Sequence, residues 1–153
     1  MVLRPTRTPQ EATVLVYATS ADLADWMTPT ALPANAAQLL RTASMTVHEA
    51  TMTSYYDVDG TGLPTDATTL QAFKDATCAQ AAALSLAGID PLSGGVLKSG
   101  VASQKAVGSA RIDYADATAA AASRQALTTD LCTEAHRILQ QAGIMLEAVW
   151  TIG

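Results

Sequence analysis

Between Asp66 and Gly88 the chain carries its longest unbroken helical signal, and whatever it folds into has to enclose that stretch. Asp66 can cap the first turn through its carboxylate, and Gly88 can end the helix by adopting a left-handed backbone. The first half is amphipathic, with Leu70, Phe73 and Thr77 on one face and Gln71, Lys74 and Asp75 elsewhere. From Ala76 to Ala87 nearly every residue is apolar or small. A helix apolar on all sides is buried on all sides, so other helices or other copies of the chain must cover it. Two preceding helices are expected against Leu70 and Phe73. Later helices and an adjoining subunit are expected against the alanine-dense half.

Composition decides how much of that covering one copy can supply. The chain has 153 residues, 49% of them apolar but only 5% aromatic. That length predicts one domain. Alanine packs helices closely yet buries little area per residue, which makes the core of a lone subunit thin and favours an oligomer. A net charge of -5 and a pI near 4.7 argue against gripping nucleic acid through its phosphates, because the nine Lys and Arg residues form no cluster. Cys78 and Cys132 match no metal-ligand spacing and read as buried free thiols of a reducing cytoplasm. No membrane-spanning stretch and no signal-peptide block is found, so a soluble, non-exported protein is expected.

In order, Met1–Glu11, with Pro5 and Pro9, reads as an extended arm, and Ala12–Tyr17 as a short strand able to join another sheet edge. Thr19 and Asp22 form a capping box for a helix with Leu23 and Trp26 on one face, ended by Pro29 and Pro33. Asn35 and Gln38 start a second helix, its stripe Leu39, Leu40, Ala43, Val47 and Ala50, running to about Thr53. A turn-rich link, Tyr55–Pro64, leads into the central helix, and Ile89–Gly100 follows it as a flexible loop. Residues 101–114 predict a hairpin turning around Val107 and Gly108. After Asp116 an alanine-rich helix runs to about Ala126, and a last helix from Thr133 to Ala142 carries Ala135, Ile138, Leu139 and Ala142 on one face, with Gly143 as its stop. The expected fold is mainly α, a bundle of four to five helices with a β-hairpin insertion and extended arms at both ends. Its divisions are an arm over 1–16, a helical domain over 17–143 and a docking tail over 144–153.

Chemistry-bearing patterns are few. Asp57, Asp59, Thr61 and Gly62 echo the first half of a calcium loop, but Thr68 stands where that loop needs a bidentate Glu, so a plain turn is the favoured reading. His48 and His136 each stand alone on a helix. No nucleophile elbow and no phosphate loop occurs, which predicts a non-enzyme with no cofactor and no metal site. Lys98, Lys105 and Arg111 make the hairpin region the most basic part of the chain, either as a solvated tip or as a contact with an acidic partner or passing DNA. The apolar tail, with Leu146, Val149, Trp150 and Ile152, needs a surface to cover it.

Several stretches together carry a family resemblance. They are Tyr17–Trp26; Ala37 through Leu39, Leu40, Arg41, Ala43 and Ser44; Tyr56–Asp59 followed by Gly62–Asp66; Leu70 with Phe73–Gln80; Val107–Tyr114; and Leu131, Cys132, Glu134, Ala135, Ile138, Leu139, Ala142 and Gly143. In this order they resemble the head-to-tail connector, or adaptor, proteins of long-tailed double-stranded DNA bacteriophages. The resemblance spans about residues 17–143, and its specificity lies in the order of the pieces, since none is a catalytic signature. The arm and the strand before Tyr17 depart from the usual opening.

The resemblance implies a virion structural protein assembled in the bacterial cytoplasm. It would form a ring of about twelve copies beneath the portal protein, receive a stopper and other neck or tail proteins, and let double-stranded DNA cross its lumen without sequence-specific binding. On that reading Leu146, Val149, Trp150 and Ile152 contact the portal or a neighbour, and Lys98, Lys105 and Arg111 meet the lumen or the stopper. Two other classes stay open: a helical packaging regulator like a small terminase subunit, which would need a basic recognition helix, and a helical protein-binding module outside the virion.

Overall fold

The computed structural model describes residues 14–93 and 119–145, together with the backbone of 104–107, 110–113 and 117–118. It is mainly helical: α1 Ser20–Met27, α2 Ala36–Ala50, α3 Ala67–Leu86, α4 Ala117–Ala126 and α5 Thr133–Gln141. Two four-residue segments, β1 Gln104–Val107 and β2 Ala110–Asp113, lie antiparallel with Gln104 opposite Asp113. Val107, expected in the turn, ends β1 opposite Ala110. Other residues of the expected 101–114 hairpin lie outside the described ones.

The helix ends follow local chemistry. Thr19 Oγ1 accepts from the Asp22 amide at 3.3 Å and Asp22 Oδ2 accepts from the Thr19 amide at 2.8 Å, completing the capping box at α1. Within α1 the buried pair is Leu23 and Met27, four residues apart on one stripe, while Trp26 is 40% exposed at its flank. That corrects the pairing of Leu23 with Trp26. Asn35 precedes α2 but makes no side-chain cap bond, because its ψ of 26° is not the extended geometry a capping side chain needs. The helix also stops at Ala50, short of the expected Thr53: buried Thr51 turns its hydroxyl back to the Val47 carbonyl at 2.9 Å, and turns follow. The expected strand over Ala12–Tyr17 is not found in its described residues, 14–17, which are irregular backbone with alternating exposure. Ile89, expected in a loop, is buried, and Pro91–Ser93 forms a single 3-10 turn.

At the other end of α3, Gly88 takes φ +70°, its amide donates to Ser85 O at 3.0 Å, and the Ile89 amide donates to Leu84 O at 3.0 Å. These are the two bonds of a Schellman motif, with Ile89 packed into the same cluster as Leu84. The motif recurs after α5, where Gly143 has φ +73° and the Ile144 amide donates to Leu139 O at 3.0 Å. No atom lies within 4 Å of a Cβ built on Gly88, so Gly88→Ala tests backbone strain alone. A loss of about 1–2 kcal/mol is expected in urea unfolding.

The core surrounds α3. On one side Cys78, Ala81, Ala82 and Leu84 pack with Leu23 and Met27 of α1 and with Leu39, Leu40 and Ala43 of α2. On the other, Ala72, Phe73, Ala76 and Ala79 pack with Val47, Tyr17, and Ala135 and Leu139 of α5. The expected assignment of halves is therefore largely crossed: the last helix covers the first half, and the first two helices cover most of the alanine-dense half. Small side chains let α2 approach closely there, while the larger Phe73 fills the wedge between Tyr17, Tyr56 and α5. Among the described residues the run Ala76–Ala82 is buried by its own chain. Leu86, by contrast, is 77% exposed.

Candidate functional site

Tyr17 fixes the start of the helical domain. Its amide donates to Ser44 Oγ of α2 at 3.1 Å, its hydroxyl lies 2.9 Å from His48 Nδ1, and its ring meets Phe73 edge-on at 4.8 Å between centroids. Burial, followed by the nearby Tyr56 phenol, raises the Tyr17 phenol well above its ordinary value, so it stays neutral as a hydrogen-bonding group. His48 thus has a structural partner. His136 lines a groove of about 340 Å³ with Glu49 and Asp130, and no cluster of three metal-ligating side chains occurs among the described residues.

The Asp-rich link is a turn built by one carboxylate. Asp59 Oδ1 accepts from the Thr61 amide at 2.8 Å, the Thr61 hydroxyl at 2.6 Å and the Leu63 amide at 3.1 Å, while Gly62 takes φ +91°. These bonds, the Thr61 hydroxyl foremost, hold the Asp59 carboxyl below its usual range. Asp66 is lowered by the Thr69 amide it caps, and Asp22 by the Thr19 hydroxyl, with Lys74 3.5 Å away adding to it. Folded values below the unfolded ones mean that the three carboxylates stabilise the fold above about pH 4 and lose that contribution as the pH falls through the folded values. Urea midpoints should drop between pH 6 and pH 3. Asp66→Asn, which keeps a capping oxygen but does not titrate, should show a smaller drop.

Cys78 is a buried packing thiol, pushed up to about 12 mainly by burial. Cys132 plays another part: its Sγ accepts from the Ala135 amide at 3.4 Å and caps α5.

Gln80 is a structural side chain that sequence reasoning passed over. Fully buried on α3, it donates through Nε2 to Leu127 O at 3.0 Å and Asp130 O at 3.2 Å, and its Oε1 accepts from the Cys132 amide at 2.6 Å. One amide thereby holds the α4–α5 corner on the central helix. The available signal was a lone glutamine inside an alanine run, a residue that is rarely buried without partners. Gln80→Leu leaves those backbone groups without this partner and should cost about 2–3 kcal/mol in urea unfolding.

Of the residues singled out for contact, Leu146, Val149, Trp150, Ile152 and Lys98 lie outside the described residues. Lys105 stands opposite Ile112, and Arg111 opposite Ala106, register positions of opposite parity. The structure therefore does not place these two basic residues as one pair. What it does bring to the surface is large apolar side chains. Met45 on α2 is 56% exposed, and beyond the end of that helix Met52 is 70% and Tyr55 99% exposed. Next to Tyr55 a groove of about 390 Å³ runs along Ala50, Thr53, Gly143, Ile144 and Met145. No protein-family model, curated protein or solved structure matches the chain.

Proposed function

We propose that the protein is a head-to-tail adaptor of a long-tailed bacteriophage: a virion structural subunit that forms a ring beneath the portal protein, receives the stopper and tail, and lets DNA pass. The reading rests on the ordered resemblance over about residues 17–143. The observation that supports it best is the exposure of Met45, Met52, Tyr55 and Leu86 on a small helical subunit. Water contact over that much apolar surface is unfavourable, and a ring covers it with two identical interfaces per subunit.

In this reading residues 101–114 form a hairpin insertion, and Lys98, Lys105 and Arg111 meet the ring lumen or the stopper. The apolar residues Leu146, Val149, Trp150 and Ile152 dock on the portal or a neighbour. The acidic chain, net -5, suits a conduit, because mild repulsion of phosphates lets DNA slide instead of sticking. Quantitative mass spectrometry of purified particles tests the proposal. The chain should be present at the portal's copy number, and its absence from particles sinks the reading.

A further inference from the structure

The outer face of α2 is a ridge that nothing in its own chain covers. Leu39, Leu40, Ala43 and Val47 bury the inner face of that helix. On the opposite face Arg41, Met45 and His48, spaced four and then three residues apart, line up as one exposed row, with Met45 56% exposed. Among the described residues Arg41 has no ion-pair partner. A surface complementary to this ridge needs an apolar floor with a carboxylate about one helical turn away.

The same chain presents both elsewhere. An open groove of about 550 Å³ runs between the first half of α3 and the end of α5, with Thr68, Gln71, Ala72, Asp75, Ile138 and Ala142 in its lining. Ala72, which is buried, and Ile138 and Ala142, which are half-buried, give it an apolar floor. Asp75 is the one charged residue of that lining. Gln71 Nε2 donates to its Oδ1 at 2.8 Å, and among the described residues Asp75 forms no salt bridge.

Charge, size and length agree between the two surfaces. Arg41–His48 and Thr68–Asp75 each advance seven residues, about 10 Å along a helix. With α2 laid antiparallel to α3 of another copy, Arg41 meets Asp75, Met45 lies over Ala72 and Ile138, and His48 reaches Thr68. A long flexible methionine set against an alanine floor packs large onto small. Ridge and groove share no residue, so one copy can use both at once, and a head-to-tail contact of this kind closes into a ring when the rotation per copy permits.

We propose that the outer face of α2, through Arg41 and Met45, seats in the α3–α5 groove of a second copy of this chain, with Arg41 paired to Asp75. The inference rests on the reading of the chain as a ring subunit and names the interface that builds the ring.

Sedimentation velocity of the isolated full chain, at concentrations up to about 1 mM, tests it without particles. The chain should associate beyond a dimer as concentration rises. Arg41→Glu and Asp75→Arg should each weaken association at least about tenfold, and the two together should restore most of it, the pattern of a direct charge pair. Met45→Asp, which sets a charge on the apolar floor, should weaken it as well. Unchanged helical circular dichroism checks that each variant keeps its fold. A monomer at every concentration, association that stops at a dimer, or a double swap no better than the single ones overturns the proposal. The particle measurement stays separate: association as described by a chain absent from particles sinks the adaptor reading alone, whereas presence in particles with association indifferent to Arg41 and Asp75 sinks this interface alone.

Discussion

Phe73→Ala is expected to remove about 3–5 kcal/mol of folding stability, a large share of the 5–15 kcal/mol typical of a domain. Phe73 is fully buried and meets Tyr17 at 4.8 Å and Tyr56 at 5.0 Å between ring centroids. It is the chain's single phenylalanine, and around it stand Ala72, Ala76 and Ala135, whose side chains are too short to reach into the space it would leave. A cavity that its lining cannot collapse costs more than the transfer of the lost atoms, so the upper half of that range is expected. Loss of two aromatic contacts adds to it. Phe73→Leu, which keeps most of the volume, should cost clearly less. Urea unfolding followed by circular dichroism reads both. A change below about 1 kcal/mol for Phe73→Ala would mean that the wedge between Tyr17, Tyr56 and α5 is held by something else.

Deletion of Val149–Gly153 is the second large effect. In the adaptor reading it removes Val149, Trp150 and Ile152 from the docking tail and none of the residues of α1 to α5. DNA-filled heads should then accumulate without tails, with infectious particles lower by orders of magnitude, while the purified variant keeps its helical circular dichroism and its urea midpoint. Aromatic residues at the centre of an interface commonly carry several kcal/mol of its affinity, so Trp150→Ala alone should reproduce much of the defect. Normal yields of infectious particles from the deletion would refute the tail's role. An unfolded variant would place the tail in the core and refute the docking assignment as well.

How much of this was legible in the sequence differs from element to element. Thr19 with Asp22, Asp66 at the start of α3 and the glycines at 88 and 143 could be read directly, because capping and helix stopping are settled within four or five residues. The stripe Leu39, Leu40, Ala43 and Val47 was equally plain, since its period alone specifies a buried face. Asn35 was not, because the same residue caps only if its backbone is extended, and that depends on how the chain enters from Pro33. Trp26 and Leu86 were misjudged for a related reason: periodicity ranks faces, but only the positions of neighbouring helices decide which flank is covered.

The sequence by itself determined that the chain is mainly helical, that Asp66–Ala87 is its centre and that alanine limits what one subunit can bury. Those properties follow from local propensity and composition. Tertiary structure alone decided which helix lies on which half of α3, that Ala76–Ala82 is covered by its own chain, and that one buried glutamine ties the α4–α5 corner to the core. The reason is physical: alanine faces carry almost no shape to distinguish one partner from another, so packing around Phe73 and the hydrogen bonds of Gln80 choose the arrangement among many that composition permits.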